Sequence, residues 1–224
     1  MLFKQKFSTL NLLNIIFPSL CSSCECFIDN DKIFCEECSK NIKPIVSYHI
    51  KVTKKYSMTV YALSEYKDPL KSLILKKFYS DRFGSVQIAK LICERTCIKN
   101  LKFDFIIPIP LHWTRYAKRG FNQSYEIAKQ LGEILNIPIL NVLKRSKRTN
   151  YQSGLDSEKR QENVKEAFSL KNKYRNSLKK LIENKNLLFV DDLFTTGATL
   201  KNAVRPLLKF NSTKISAVVG CRVV

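Results

Sequence analysis

The sequence predicts an α/β fold with a parallel sheet, and three observations support this prediction. Apolar runs typical of strands alternate along the chain with segments of helical periodicity. One run, residues 187–190, is apolar at every position, as expected for a strand that is buried on both faces. Two carboxylates, a Thr- and Gly-rich turn and a helical pattern follow it, which is the order in which open α/β sheets build ligand sites beyond their strands.

The elements of this sheet are predicted in chain order. A helix is expected to begin after Pro69, and Asn122 is expected to cap a later one. Pro108 and Pro110 end the strand that precedes a loop from Leu111 to Gly120. Strands are predicted over residues 57–63, 103–109, 139–143, 187–190 and 214–223, and further helices over residues 82–99 and 198–210.

Composition indicates a packed globule with an excess of positive charge. Of 224 residues, 45% are apolar and only 6 are Gly and 7 Pro, which argues against a disordered chain. The formal charge is +20, and two blocks, residues 43–100 and 141–185, contribute most of it. Such blocks favour a polyanionic partner, either nucleic acid or a polyphosphate. The alternative is a lysine-rich proteome without a specific partner.

The first residues are weakly amphipathic and do not form a convincing targeting signal. Asn11 and Asn14 interrupt the apolar run, no small-residue cleavage site follows, and Pro18 ends the run far short of a membrane span. We expect an N-terminal helix packed on the protein, no membrane span and a cytoplasmic location. The predicted domains are residues 1–45, which include this helix and a cysteine-rich segment, and residues 46–224.

The cysteine-rich segment contains two C-x-x-C pairs, with ten residues between them. This spacing predicts a structural zinc site with four thiolate ligands, Cys21, Cys24, Cys35 and Cys38. A disulfide is not expected in a reducing compartment, and a redox pair would not need a second copy so close. Cys26 is an alternative ligand in place of Cys24. The local charge is near zero, so we expect the segment to be a scaffold.

The acidic pair Asp191 and Asp192 and the turn after it have complementary chemistry. Backbone N–H groups and Thr hydroxyls in residues 195–199 suit a phosphate. Two carboxylates cannot face that phosphate, so they are expected to accept hydrogen bonds from neutral hydroxyls, as on a ribose. The alternative is an ordinary strand exit, in which Asp and Thr cap the next helix.

Residues 187–200 resemble the 5-phosphoribosyl-1-pyrophosphate (PRPP) motif of the type I phosphoribosyltransferases. The resemblance implies that Asp191 and Asp192 hold the ribose hydroxyls and act as catalytic residues. It also implies that the site binds PRPP or ribose 5-phosphate. A Mg²⁺ ion is expected to accompany PRPP. The residues that it assigns to the 5′-phosphate are Thr195, Thr196, Gly197, Ala198 and Thr199.

Basic residues elsewhere are candidates for the pyrophosphate side of such a site. Lys144, Arg148 and Arg160 lie in a long polar stretch that would close over the substrate as a lid, or else remain a solvated loop. Arg119 is a candidate catalytic residue that neutralises pyrophosphate, or else pairs with a carboxylate at the base of its loop. Gln123 either binds ligand or supports the loops.

Five sequence elements together resemble the ComF family of competence-associated, phosphoribosyltransferase-like proteins. Besides the cysteine pairs and the PRPP motif, they are residues 66–78, residues 108–112 with 119–123, and residues 145–168. The resemblance implies a type I phosphoribosyltransferase fold and a role in natural transformation, in which single-stranded DNA, a helicase relative and recombination mediators are the partners. The alternative is an adaptor that keeps the fold and binds DNA and proteins without turnover.

Overall fold

The computed structural model describes residues 18–29, 32–43, 45–77, 82–145, 167–212 and 214–223. Its main sheet has five strands, and the predicted N-terminal helix lies outside the described residues. In spatial order the strands are β1 (Ile45–Lys51), β2 (Ser57–Glu65), β7 (Lys214–Arg222), β6 (Asn186–Phe194) and β3 (Phe105–Pro108). Only β1 runs antiparallel to its neighbour; the pairs β2–β7, β7–β6 and β6–β3 are parallel.

A two-stranded antiparallel ribbon and seven α-helices complete the described fold. The ribbon pairs β4 (Leu143–Arg145) with β5 (Phe168–Leu170). The helices are α1 (Glu36–Lys40), α2 (Leu70–Lys77), α3 (Phe83–Arg95), α4 (Trp113–Arg119), α5 (Gln123–Leu135), α6 (Leu178–Ile182) and α7 (Ala198–Val204). Short 3₁₀ turns follow at Cys97–Asn100, Asn172–Tyr174 and Arg205–Phe210. Within the described ranges, no helix is long and apolar enough to cross a membrane.

Two apolar cores lie against the main sheet because its central strands are apolar at successive positions. One core joins Leu188 and Val190 of β6 to helices α3 and α5, through residues such as Ile92 and Ile127. The other joins Phe189 of β6 to α6, α7 and the β4–β5 ribbon. Both cores meet at β6, which is buried throughout residues 187–191. The predicted α/β fold with a mostly parallel sheet is therefore confirmed.

The structure corrects several predicted elements. Residues 111–120 are not a loop: they contain α4, whose first turn is capped by the His112 side chain and which ends at Gly120 in the left-handed conformation. The strand predicted over 139–143 is displaced to β4, and Ile139 makes only an isolated bridge to Ile106. The helix predicted over 198–210 changes to a 3₁₀ turn after Val204, because Pro206 lacks the N–H that an α-helix needs.

Candidate functional site

The acidic pair lies where β6 extends beyond its neighbour β3. The register of these strands ends with Pro108 beside Val190, and Ile109 N–H still donates to Val190 O. Asp191 and Asp192 follow at once. The prediction that they stand after the strand is wrong, because β7 continues to pair with β6 as far as Phe194. The pair therefore belongs to β6 itself and is paired on one side with β7, beyond the point where pairing with β3 ends.

Asp191 is the buried member of the pair. Its side chain is 8% exposed, and its Oδ1 accepts hydrogen bonds from Ser124 Oγ at 2.8 Å and from the Asp192 N–H at 3.0 Å. Burial, together with the neighbouring charge of Asp192, raises the pKa of Asp191 from 3.8 to about 7, although these hydrogen bonds oppose the shift. Asp191 is therefore only partly ionised near neutral pH, whereas an ordinary aspartate would be fully ionised.

Asp192 is half-buried and lies near Arg119. Burial lowers the pKa of Arg119, while the charge of Asp192 raises it and that of Arg115 lowers it. The structure therefore brings together the acidic pair and the cationic residue that the sequence singled out. Arg119 is the last residue of α4, so its position depends on a helix that sequence analysis did not predict.

The turn from Thr195 to Thr199 connects β6 to α7 in a conformation that requires glycine. Gly197 has φ +75°, and a Cβ added there would lie 2.8 Å from the Phe194 ring. Thr196 is exposed and its Oγ1 accepts from Ala198 N–H at 3.4 Å, while Thr195 and Thr199 are half-buried. The turn thus presents backbone and hydroxyl groups next to the acidic pair, at the carboxyl edge of the sheet.

The start of α5 lies beside the acidic pair, because Ser124 near its beginning donates to Asp191. Asn122 does not cap α5 with its side chain as predicted, because its Nδ2 donates to Ile109 O at 2.9 Å and so ties α5 to the end of β3. Gln123 is 1% exposed, and neither of its amide atoms has a hydrogen-bond partner in the structure as described. The sequence offered Gln123 only as a ligand or loop contact, and gave no sign of this burial.

Of the three predicted lid residues, only Lys144 is among the described residues. Lys144 lies on β4, opposite Ser169 of β5, and its side chain is exposed. Arg148 and Arg160 lie outside the described residues. The guanidinium of the adjacent Arg145 stacks over the Phe168 ring, 5.2 Å from the ring centroid. The ribbon therefore carries a second cation next to Lys144.

Four cysteines converge near the amino-terminal end of the described chain. The Sγ atoms of Cys21, Cys24, Cys35 and Cys38 all lie within 4.8 Å of one another. Cys24 and Cys35 are 3.7 Å apart, close to the edge of about 3.8 Å that a tetrahedron with metal–sulfur bonds of 2.3 Å requires. The donor set and its size therefore fit a metal ion such as zinc.

Backbone hydrogen bonds lower the pKa of two of the four cysteines, Cys21 and Cys35, whereas burial and a hydrogen bond with Cys35 raise the pKa of Cys38. Burial would raise the pKa of Cys21, but backbone hydrogen bonds, from Cys24, Cys35 and Ser23, outweigh it and lower the pKa to about 6. The Cys35 N–H donates to Cys21 Sγ and the Cys38 N–H to Cys35 Sγ, both at 3.4 Å. Cys26 Sγ lies 3.4 Å from Cys24 Sγ, but Cys26 is not one of the four converging residues.

Comparisons with known proteins agree with this geometry. Residues 88–223 match the family model of the phosphoribosyl transferase domain. The chain is 30% identical over 216 residues to Competence protein F of Haemophilus influenzae, covering 91% of this chain and 90% of that protein. It is 26% identical over the same shares to the DNA utilization protein YhgH of Escherichia coli K12. It is 32% identical to Competence protein ComFC of Bacillus subtilis, over 48% of this chain and 40% of that protein.

These matches define first a class, a protein with a type I phosphoribosyltransferase fold. Within that class, the chain belongs to the ComF family, to which the relatives from Haemophilus and Bacillus also belong.

Proposed function

We propose that the site between β6 and α7 binds the phosphoribosyl group of PRPP, and that the chain serves a ComF-like role in handling incoming single-stranded DNA. The observation behind the first part is the order of groups along one strand end. An acidic pair with one buried and one half-buried carboxylate is followed within three residues by a glycine-dependent turn that contains three threonines. The second part rests on the likeness to Competence protein F and on the +20 charge.

Each group in the site has a distinct role toward such a substrate. Asp191 and Asp192 orient the ribose by accepting hydrogen bonds from its hydroxyls, and Ser124 holds Asp191 in place. The turn from Thr195 to Thr199 donates to the 5′-phosphate. Arg119, beside Asp192, stabilises negative charge on the pyrophosphate side.

Transfer from PRPP would proceed by displacement at C1′. The C1′–O bond breaks and its electron pair leaves with pyrophosphate, while a lone pair of the acceptor forms the new bond to C1′. Mg²⁺, when bound, neutralises the leaving group. Among the described residues, no carboxylates or histidines converge as a group of three, so the ion would be held by pyrophosphate oxygens and water.

The cysteine cluster is proposed to hold Zn²⁺ as a structural ion. Four protein ligands saturate a tetrahedral ion and leave no open position for a substrate. Phe34 and Ile42 of the same segment belong to the core around α3, so the ion would anchor the segment to the phosphoribosyltransferase fold. The scaffold role and the proposed boundary near residue 45 stay predictions.

A second candidate is an adaptor that binds DNA and helicase or recombination partners without catalytic turnover. The positive charge of the chain favours it, because charge serves DNA binding whether or not PRPP is consumed. The two candidates differ at Asp192, which the adaptor does not need for its DNA contacts.

Calorimetric titration with Mg²⁺ and PRPP tests the proposed site. Asp192→Asn is expected to weaken binding at least tenfold, since hydrogen bonds to a charged carboxylate contribute about 1.5–3 kcal/mol. Asp29→Asn is the control, because Asp29 is an exposed carboxylate in a surface ion pair with Lys32. Equal affinity in wild-type protein and in Asp192→Asn, or no binding by either, would contradict the phosphoribosyl site and leave the adaptor.

A further inference from the structure

A second cavity adjoins the proposed phosphoribosyl site and has a different chemistry. It has a volume of about 720 Å³ and lies between α4, α5 and the β4–β5 ribbon. Pro110 and Leu111, in the loop after β3, form its edge, and Ile109 of the same loop contacts β6 directly before Asp191. The cavity therefore opens beside the acidic pair but contains neither Asp191 nor Asp192. We call it the α4–α5 groove.

Aromatic rings line one wall of the α4–α5 groove and face solvent. Trp113 is 70% exposed and Tyr116 53% exposed, and the two are three residues apart on α4, so they lie on one helix face. Tyr125 of α5 adds a third, half-buried ring. Exposed rings of this size are costly to leave in water, and their flat faces match the bases of a single strand.

Cations surround these rings, and one carboxylate lies among them. Lys129 is exposed one turn after Tyr125, Lys144 is exposed on β4, and Arg145 is held beside it by the Phe168 ring. Among the described residues, the charged side chains that line the groove are Arg82, Lys129, Lys144, Arg145, Lys171 and Glu126. Arg82 Nε lies 3.8 Å from Glu126 Oε1, and the five cations outnumber this one carboxylate.

From these observations we infer that the α4–α5 groove binds single-stranded DNA. The rings stack with unpaired bases and the cations neutralise the phosphates, which is the combination that single-strand-binding surfaces use. A duplex hides its base faces and cannot use the exposed rings. The choice of DNA over RNA rests on the proposed role in DNA handling, whereas the choice of a single strand rests on the groove itself.

Trp113 serves as an intrinsic fluorescent probe of the groove, because it is the one tryptophan in the 224-residue sequence. The full-length, metal-replete protein is titrated with an oligothymidylate of about 16 nucleotides, the upper end of the site size of one single-strand-binding fold. Saturable quenching of tryptophan fluorescence is expected, with an apparent Kd that rises with NaCl concentration. The same length of duplex DNA and an oligouridylate are titrated in parallel and should bind more weakly.

Matched variants locate the contact, with binding followed by the anisotropy of a labelled oligonucleotide. Trp113→Ala and Tyr116→Ala are each expected to weaken binding by about five- to a hundredfold, the range for loss of one stacked base. Phe27→Ala is their control, since Phe27 is 77% exposed on the cysteine-rich segment. Lys144→Ala should lower the slope of log Kd against log [NaCl] by about 0.7. Lys102→Ala is the control and should leave the slope unchanged, because Lys102 is exposed and does not line the groove.

Three results would overturn the inference. The first is that the oligothymidylate does not bind. The second is that it binds without changing tryptophan fluorescence and with the same affinity for Trp113→Ala as for wild-type protein. The third is that duplex DNA or RNA binds more tightly than single-stranded DNA. Asp192→Asn should bind the oligothymidylate as wild type does. Failure of the PRPP site and failure of the groove therefore give different results, because each is read with its own ligand and its own variants.

Discussion

At the scale of single residues, the acidic pair is asymmetric in a way that determines its chemistry. Asp191 is buried and bonded to Ser124, whereas Asp192 is half-buried and near Arg119. The two carboxylates are adjacent in sequence but differ in environment, because Asp191 is shielded from solvent and Asp192 is partly exposed to it. Such a pair can accept hydrogen bonds from neighbouring hydroxyls without two full negative charges in contact.

The raised pKa of Asp191 predicts how stability depends on pH. Its pKa in the folded protein is about 7 and its ordinary value 3.8, so the folded state binds a proton that the unfolded chain releases. The resulting stabilisation is complete below about pH 4 and is lost as the pH rises to about 7. We expect Asp191→Asn, which keeps an oxygen for Ser124 and has no charge, to stabilise the free protein near neutral and alkaline pH.

Thermal unfolding of Asp191→Asn and wild-type protein near pH 5 and near pH 8 measures this effect. The gain should be larger near pH 8, on the order of 1 kcal/mol or more, which is a few degrees in Tm for a chain of this size. Asp29→Asn, an exposed control, should show no such difference. A gain that is equal at both pH values would show that the carboxyl of Asp191 ionises normally.

The residue types of the site could be predicted from the sequence, but their environments could not. The acidic pair and the Thr- and Gly-rich turn form one continuous motif, so local pattern was enough to find them. The partners of that motif are distant in sequence: Ser124 is 67 residues from Asp191. Similarly, the burial of Gln123 depends on how α5 packs, and periodicity alone does not reveal it.

At the scale of elements, the errors arise where tertiary contacts override local sequence. β6 was predicted to end at Val190, before the polar pair, but pairing with β7 extends it to Phe194. Residues 111–120 were predicted to be a loop, but they contain a helix whose first turn is capped by a local contact, in which the Thr114 N–H donates to the His112 side chain. That helix matters for both proposals because it carries Arg119 at one end and Trp113 at the other.

The cysteine-rich segment was predictable because its signal is local. Two C-x-x-C pairs specify their own ligand geometry, and the four thiols do converge. The sequence did not show how the segment contacts the rest of the fold. Arg95 of α3 donates to Ser39 Oγ at 2.7 Å, and Cys21 and Phe34 are buried with Ile88 and neighbours. Loss of a bound metal should therefore weaken the α3 region as well as the segment itself.

Metal removal tests this connection. A zinc chelator or the substitution Cys38→Ser is expected to lower the thermal midpoint by on the order of 10 °C, because an ion that binds only the folded state stabilises it. Cys97→Ser is the control, since Cys97 is exposed and outside the cluster. For each protein, the metal content is measured by elemental analysis and compared with the midpoint of its thermal unfolding. An unchanged midpoint after complete metal loss would show that the cluster is not structural.

At the scale of the whole molecule, the sheet gathers separate sequence regions at one edge. The loop after β3, the start of α5 and the turn after β6 meet at the carboxyl ends of parallel strands, as expected for an open α/β sheet. The fold class was predictable because strand–helix alternation is regular in this sequence. The antiparallel strand β1, which has seven residues, was not predicted. The ribbon was also missed, because strands of three residues give weak periodic signals.

The same edge brings the two proposed ligands close together. The acidic pair and the turn after β6 form the proposed phosphoribosyl site, and the loop after β3 links this site to the α4–α5 groove. The excess of positive charge could be read from the composition, but its position beside exposed aromatic rings depends on how α4, α5 and β4 are arranged around one cavity. A phosphoribosyl site and a DNA surface in contact across one loop would suit a protein that acts on, or responds to, incoming DNA.

The most direct test of the central claim is ³¹P nuclear magnetic resonance of PRPP with the protein, because it separates the 5′-phosphate from the pyrophosphate. In wild-type protein with Mg²⁺, the 5′-phosphate resonance is expected to shift or broaden, and ribose 5-phosphate alone should respond in the same way. Thr196→Ala, which removes an exposed hydroxyl from the turn, should reduce the effect. An unchanged 5′-phosphate resonance in wild-type protein, whatever happens to the pyrophosphate resonances, would contradict a phosphoribosyl site at the β6–α7 turn.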